Sequence, residues 1–134
     1  MPEDHVATVR SFYEAFGRGD VGPIIDAADD DVVWEAGAVD HGVPLLTPGR
    51  GKAHVANFFA QLGELEFKRF EPLVIFGSGD HVMAVCAVEF LVPATGRSVR
   101  EEGEGHLWTF GPDGKVVAFR HYSDTLQHHQ AWSD

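Results

Sequence analysis

The spacing of apolar residues changes once along the chain, and this change limits the folds it can adopt. In the first part, single apolar stripes at spacings of three and four residues predict helices over 6–16, 21–28 and 55–62. In the second part, β-branched and aromatic runs predict strands over 65–76, 81–92, 97–110 and 115–124. Helices followed by long strands are typical of an α+β fold, in which the helices pack on one face of an antiparallel sheet.

The connecting segments support this division. Residues 32–35, Val-Val-Trp-Glu, follow an acidic turn and predict a short first strand. Residues 37–51 are rich in Gly and Pro, so we expect a loop that forms a rim or lid. The long strands are separated by predicted hairpin turns at 77–80, 93–96 and 112–115. Residues 126–134 are expected to be a polar tail whose Trp132 docks on the domain.

Length and charge exclude several classes of protein. A chain of 134 residues and 14.7 kDa fits one domain, 1–134. The net charge of −11 would repel phosphate groups, so neither nucleic acid nor an anionic membrane is expected as a partner. The apolar runs are too short to cross a bilayer, and the first residues lack the basic start of a signal peptide. A single cysteine, Cys86, suits a reducing cytoplasm.

Three local strings, taken with the order of the elements, carry a family resemblance. They are Phe-Gly-Arg-Gly-Asp at 16–20, Asp-Val-Val-Trp-Glu at 31–35, and the stretch 106–125 from His-Leu-Trp-Thr-Phe to Tyr-Ser-Asp-Thr. The chain resembles the nuclear transport factor 2-like superfamily, in particular its SnoaL-like and ketosteroid-isomerase-like branch. The resemblance implies a strongly curved antiparallel sheet wrapped around three N-terminal helices into a cone (a cystatin-like roll). It also implies an apolar interior that holds a ligand, and a homodimer formed through the outer face of the sheet.

The resemblance also says where catalytic residues would lie. The positions that act in steroid isomerases fall on Phe12, Ala36 and His106, and none of the three has the expected residue type. The candidate positions of SnoaL-like cyclases fall on His106, which matches, and on His121, which does not. Related members include isomerases, cyclases, dehydratases, epoxide hydrolases and pure binding modules, so the fold alone does not specify the activity.

Independently of the family resemblance, the predicted hairpin between the last two strands determines which residue faces His106. If Asp113-Gly114 is a two-residue loop, Phe110 faces Val117, Trp108 faces Phe119 and His106 faces His121. If Gly114 forms a bulge in a three-residue loop, His106 faces Arg120 instead. The family resemblance favours the first register, which makes the two imidazoles neighbours at the end of an apolar wall.

Two adjacent imidazoles indicate acid/base chemistry, because their ordinary pKa of about 6.5 allows either role near neutral pH. One could remove a proton next to a carbonyl while the other stabilises the enolate, as in an isomerase or a polyketide-type cyclase. The predicted pocket holds a small apolar or polycyclic ligand and is lined by Tyr13, Trp34, Phe58, Trp108, Phe119 and Ser123. No organic cofactor is predicted, because the sequence has no phosphate-binding glycine loop. The alternatives are a non-catalytic binding domain or an epoxide hydrolase or dehydratase on the same fold.

The remaining polar residues allow less specific interpretations. Glu102 and Glu104 alternate with His106, so a regular strand would place all three on one face. His106, His121 and Glu104 could bind a metal, but no spacing here is diagnostic of metal ligands, and none is predicted. Glu35 is expected to be non-catalytic, His128 and His129 to be exposed, and Cys86 to be a buried apolar residue.

Overall fold

The computed structural model describes residues 2–133 and contains helices, a short 3-10 turn and one sheet. The helices are α1 (Pro2–Gly17), α2 (Gly22–Ala27), α3 (Lys52–Leu62) and α4 (Thr125–Trp132), and the 3-10 turn is Pro44–Leu46. The strands are β1 (Ala28–Trp34), β2 (Gly49–Arg50), β3 (Glu66–Ser78), β4 (His81–Val92), β5 (Arg97–Phe110) and β6 (Val116–Tyr122).

The six strands form one curved, unclosed sheet in the order β2-β1-β6-β5-β4-β3. Helix α1 packs on β3 and β4, and α3 packs on β1, so these helices fill the concave side. The predicted α+β cone is thereby confirmed. One pairing was not predicted: β1 runs parallel to β6, while the other neighbours are antiparallel.

The helices follow from their apolar stripes and from the residues that end them. Val9, Phe12 and Ala15 recur at helical spacing on α1 and are all buried. Pro23 stands in the first turn of α2, where a missing N–H costs nothing. Gly63 follows α3 and donates its N–H to Phe59 O.

The hairpin between β5 and β6 combines both predicted loop geometries. Next to the turn, Phe110 faces Val116 and Gly114 has a φ of 82°, as in a bulged three-residue loop. A register shift follows, after which Trp108 faces Phe119 and His106 faces His121. The predicted pairing of Phe110 with Val117 is therefore wrong, and that of the two histidines is found.

An irregularity in β5 overturns one predicted face. Between the pairs Cys86/Glu104 and Val88/Glu101, β5 has one residue more than β4, which is a bulge. The extra residue reverses the alternation, so Glu101 and Glu104 are buried while Glu102 is exposed and pairs with arginines. The expectation that Glu102 shares a face with His106 is wrong for this reason.

The expected C-terminal tail is a helix instead. The Asp124 carboxylate caps α4 by accepting the N–H of Gln127. The amide of Gln127 then binds the backbone N–H and carbonyl of Arg100 on β5. His128 is consequently buried rather than exposed, while His129 is exposed. Trp132 packs edge-on against Phe90, with the ring centroids 5.8 Å apart.

None of the helices within residues 2–133 combines the length and the apolar character that a membrane span requires.

The edge strand β3 has exposed apolar residues. Its Val74 and Phe76 are about half exposed and point to the same side. The homodimer through the outer sheet face stays a prediction, and these residues would be available to it.

Candidate active site

A narrow, mainly aromatic cavity lies between the concave side of the sheet and helices α1 and α3. With its open mouth counted, it includes about 620 Å³ of unfilled space. The polar residues in its wall are Tyr13, Glu104, His106, Trp108, His121 and His128.

Nearly all of the predicted site residues converge on this cavity. The histidines His106 and His121 line it together with Tyr13, Trp34, Phe58, Trp108 and Phe119. Ser123 does not: it lies beyond the end of β6 and lines a separate depression with Arg120. The hypothesis that Ser123 lines the main pocket is wrong, because β6 ends at Tyr122 and the chain has already left the sheet.

A directional hydrogen-bond chain runs through Tyr13 to His106. Trp108 Nε1 is only a donor, and it donates to the Tyr13 hydroxyl at 3.1 Å. Tyr13 in turn donates to His106 Nδ1 at 2.6 Å. The remaining ring hydrogen of a neutral His106 is then on Nε2, which donates to Glu104 Oε1 at 2.8 Å. Every donor and acceptor in the chain is matched, which fixes the tautomer of His106.

His121 is held differently, because the single carboxylate of Glu35 binds it at two atoms. Its Nδ1 lies 2.5 Å from Glu35 Oε2, and its backbone N–H donates to Glu35 Oε1 at 3.0 Å. Its Nε2 has no hydrogen bond to the described residues; Glu104 Oε1 lies 3.7 Å away. The two imidazole rings meet edge to face with centroids 4.9 Å apart. His121 Nε2 is therefore the ring nitrogen left free at the cavity.

Glu35, which was expected to be non-catalytic, holds His121 in the site. It follows β1 directly, is 2% exposed and has a φ of 57°, which is unusual for a residue other than glycine. The parallel pairing of Trp34 with Phe119 brings the end of β1 beside the end of β6, where His121 lies. An acidic residue directly after the run Val-Val-Trp at 32–34 was the available signal, but its meaning depended on the parallel pairing of β1 with β6.

The two histidines titrate in opposite directions. Burial lowers the pKa of His106, although Glu104 acts against it. Burial also disfavours the charged form of His121, but Glu35 and Glu104 outweigh it and raise the pKa of His121. The pKa of the Glu104 carboxyl is lowered, because the hydrogen bond that it accepts from His106 and the charge of His121 outweigh the effect of burial. The site thus combines a neutral imidazole with one that favours the protonated form.

The closed end of the cavity carries further buried polar groups. Burial raises the pKa of Glu101 to about 9, with Glu104 adding to the effect. His128 reaches this end from α4, and burial lowers its pKa. Within residues 2–133 two sets have ligand atoms close enough to share a cation, Glu104/His106/His121 and Glu101/Glu104/His128. In the first set, both nitrogens of His106 already have hydrogen-bond partners.

Cys86 lies behind His106 and is fully buried, with its Sγ 3.8 Å from His106 Nδ1. Burial, together with the charge of Glu104, raises the pKa of the thiol to about 12. A thiol in this environment is not a nucleophile at neutral pH, because only the thiolate is reactive.

Comparison with known proteins places the whole chain among similar folds. The model of the SnoaL-like domain family matches residues 9–119. An NTF2-like protein from Burkholderia xenovorans LB400 is 26% identical with a TM-score of 0.84, covering 99% of this chain and 98% of that one. No protein of curated function matches the sequence significantly.

Two more distant structures share the fold. A putative polyketide cyclase from Pseudomonas putida KT2440 is 18% identical with a TM-score of 0.74, covering 96% and 98% of the two chains. An LEH-like epoxide hydrolase of M. tuberculosis is 17% identical with a TM-score of 0.68, covering 97% and 90%.

Proposed function

Because the chain belongs to the SnoaL-like domain family, we propose that it is a small-molecule enzyme that transfers a proton next to a carbonyl group. The reaction needs no organic cofactor and is that of an isomerase or a polyketide-type cyclase. One observation carries the proposal: a free nitrogen of His121 and the Tyr13–His106 pair line the same apolar cavity, each backed by a buried carboxylate.

His121 has the role of the acid. Glu35 holds its Nδ1 and stabilises the imidazolium, which leaves the Nε2–H free to donate to the carbonyl oxygen of the substrate. The arrangement of a carboxylate that orients an imidazole is one that acid/base enzymes use repeatedly. Glu35 does not touch the substrate in this scheme and is a positioning residue.

The base is His106, acting through Tyr13. The C–H bond next to the carbonyl breaks, its electron pair forms the enolate, and the proton moves to the Tyr13 oxygen. The hydroxyl proton of Tyr13 moves at the same time to His106 Nδ1, along the 2.6 Å hydrogen bond. Glu104, at His106 Nε2, stabilises the imidazolium that results. Return of the proton to another carbon completes an isomerisation.

The cavity wall supports a flat carbonyl compound as substrate. Trp34, Phe58 and Phe119 provide aromatic faces, and Trp34 stacks on Phe119 with ring centroids 4.2 Å apart. Trp34 Nε1 is a buried donor without a partner among the described residues, so an acceptor oxygen on the ligand would satisfy it. Within the described residues the wall contains no arginine or aspartate, which disfavours the Asp-Arg-Asp chemistry of epoxide hydrolases.

The experiment is hydrogen–deuterium exchange at the carbon next to the carbonyl, followed by NMR in D2O for a panel of cyclic ketones, enones and aromatic polyketide intermediates. The protein should accelerate exchange of at least one compound, and His121→Gln or His106→Gln should lower that rate by about 10²-fold or more. His129→Gln, which changes an exposed histidine, should leave it unchanged. Equal rates in all variants would remove both histidines from the mechanism.

A non-catalytic binding domain is the second candidate, favoured by the fact that both ring nitrogens of His106 have partners within the protein. A thermal-shift screen on the same panel, extended to epoxides, separates the two. Compounds that raise the melting temperature without any exchange or turnover would favour binding alone.

A further inference from the structure

Three hydrogen-bond acceptors face one another at the closed end of the cavity. They are one carboxylate oxygen each of Glu101 and Glu104 and one ring nitrogen of His128, and the three atoms lie within 4.8 Å of one another. The side chains are 7%, 7% and 2% exposed. Buried acceptors need a hydrogen between them, and a cation bound among these three groups would take the place of the proton that they otherwise have to hold.

The hydrogen bonding of His128 shows that its inner nitrogen is an acceptor. His128 Nδ1 lies 2.9 Å from the backbone carbonyl of Asp124, and because a carbonyl only accepts, Nδ1 carries the hydrogen. Neutral imidazole then presents a bare lone pair at Nε2. A histidine whose outer nitrogen is held by a carbonyl in this way is preorganised to bind a metal through the inner one.

Glu101 supplies an oxygen for which the described residues offer no partner. Its Oε1 accepts the N–H of Asp124 at 2.5 Å, but its Oε2 is buried and has no hydrogen bond. His128 Nε2 lies 4.0 Å from this oxygen. An unpartnered carboxylate oxygen thus points at a bare imidazole nitrogen inside the protein.

The distances suit a cation after a small adjustment of side chains. Ligand atoms around a tetrahedral Zn²⁺ lie about 3.4 Å apart, given bonds of about 2.1 Å. Glu101 Oε2 and His128 Nε2, which lie 4.0 Å apart, would have to approach by about 0.6 Å. The ligand atoms of the other pairs lie at most 4.8 Å apart, so they would have to approach by no more than about 1.4 Å. Glu104 and His128 also line the cavity, so a fourth ligand, such as water, could approach from that side.

We propose that Glu101, Glu104 and His128 form a binding site for a divalent transition-metal ion with mixed nitrogen and oxygen ligands, tested as Zn²⁺. One imidazole and two carboxylates match the ligand preferences of Zn²⁺, Mn²⁺ and Fe²⁺ rather than of a soft ion. Two carboxylates and a divalent ion also make the cluster electrically neutral. Glu104 belongs to both this site and the one proposed above, since it binds His106 and lies 3.7 Å from His121 Nε2. The test of the metal site nevertheless stands apart from the proposed reaction, because it measures metal binding and not turnover.

The test measures metal binding directly. The protein is stripped with EDTA, titrated with Zn²⁺ and followed by calorimetry, and its melting temperature is compared with and without the ion. We expect one equivalent to bind and a saturating excess to raise the melting temperature by about 5–10 °C. Glu101→Gln should weaken binding by about 10²-fold or more, because it removes a carboxylate ligand. The stripped variant should melt no lower than the stripped parent, because Gln is neutral and its amide oxygen can still accept the N–H of Asp124.

Two controls locate the site. Glu102→Gln makes the same change on the next residue, which is exposed, and should leave Zn²⁺ binding unchanged. His121→Gln disrupts the other candidate set, Glu104/His106/His121, and should also leave the stoichiometry at one. No binding to the parent protein would overturn the proposal and leave a proton on Glu101 as the neutralising charge. Binding that survives in both Glu101→Gln and His128→Gln would overturn it as well.

Discussion

At the scale of single residues, the roles of the two histidines are decided by what their Nδ1 atoms meet. His106 Nδ1 accepts from the hydroxyl of Tyr13, and burial lowers the pKa of this ring, so its neutral form is favoured. His121 Nδ1 meets the carboxylate of Glu35, which can only accept when ionised, so the protonated ring is favoured. Two side chains of the same type, facing each other across one strand pair, are thereby made different.

Tyr13→Phe tests the hydrogen-bond chain. The change leaves Trp108 Nε1 and His106 Nδ1 without their partner, so we expect the free energy of unfolding to fall by about 1–3 kcal/mol. It also removes the group that passes the proton to His106, so exchange should fall by about 10²-fold or more while ligand affinity changes little. Urea unfolding and the exchange assay measure the two effects.

The matched control is the other tyrosine of the chain. Tyr122→Phe removes a hydroxyl from a side chain that is about half exposed on β6. The free energy of unfolding and the exchange rate should both be unchanged. If Tyr13→Phe kept the full exchange rate, Tyr13 would be a structural residue, and His106 would have to meet the substrate directly.

At the scale of elements, a bulge and a helix shape the closed end of the cavity. The bulge in β5 brings Glu101 to the inner side. Helix α4 then covers it: the Asp124 N–H binds Glu101, and His128 enters the cavity wall. The polar contacts that hold α4 are those of Gln127 to Arg100, of Thr95 Oγ1 to Ala131 O, and of Arg97 Nη1 to Gln130 O.

Gln127→Ala tests how α4 is held on the sheet. The amide of Gln127 binds both backbone groups of Arg100, so its removal should lower the free energy of unfolding by about 1–2 kcal/mol. Amide hydrogen exchange in α4 should accelerate more than in β4 and β5, because these two hydrogen bonds tie only this helix to the sheet. Gln130→Ala, on the same helix with an exposed side chain, is the control and should change neither.

At the scale of the whole molecule, charges inside the cone couple folding to pH. The whole chain has a net charge of −11, and the interior contains carboxylates and imidazoles in contact. The pKa of His121 is raised in the folded protein, and that of His106 is lowered. Their contributions to stability therefore have opposite dependence on pH.

His121→Gln isolates one of these contributions. Below the unfolded pKa of about 6.5, His121 is protonated in both states and its ion pair with Glu35 stabilises the fold fully. As the pH rises through the raised folded pKa, this contribution is lost. The difference in unfolding free energy between the parent and the variant should therefore shrink from about pH 6 to pH 9 in urea titrations of the EDTA-treated protein.

The same titrations with His106→Gln should give the opposite trend. Because the folded pKa of His106 is lowered, its contribution is present above about pH 6.5 and is lost as the pH falls. A difference for His121→Gln that grew with pH would contradict the assignment of His121 as the protonated ring.

Local patterns were enough to predict most elements of this fold. Apolar periods of three to four and of two depend only on neighbours in sequence, and they located α1, α3, β4 and β5 closely. Hairpin turns are also local, so the approach of His106 to His121 was among the predicted registers. The same register pairs Trp108 with Phe119, and both aromatic side chains line the cavity.

What the tertiary structure decided depends on contacts between distant segments. The parallel pairing of β1 with β6 brings Glu35 to His121, although 86 residues separate them in the chain. The bulge that selects Glu101 over Glu102 and the helix that buries His128 depend on how β5 meets β4 and α4. A side chain becomes an acid, a base or a ligand only through the partners that burial gives it, and a linear pattern does not contain those partners.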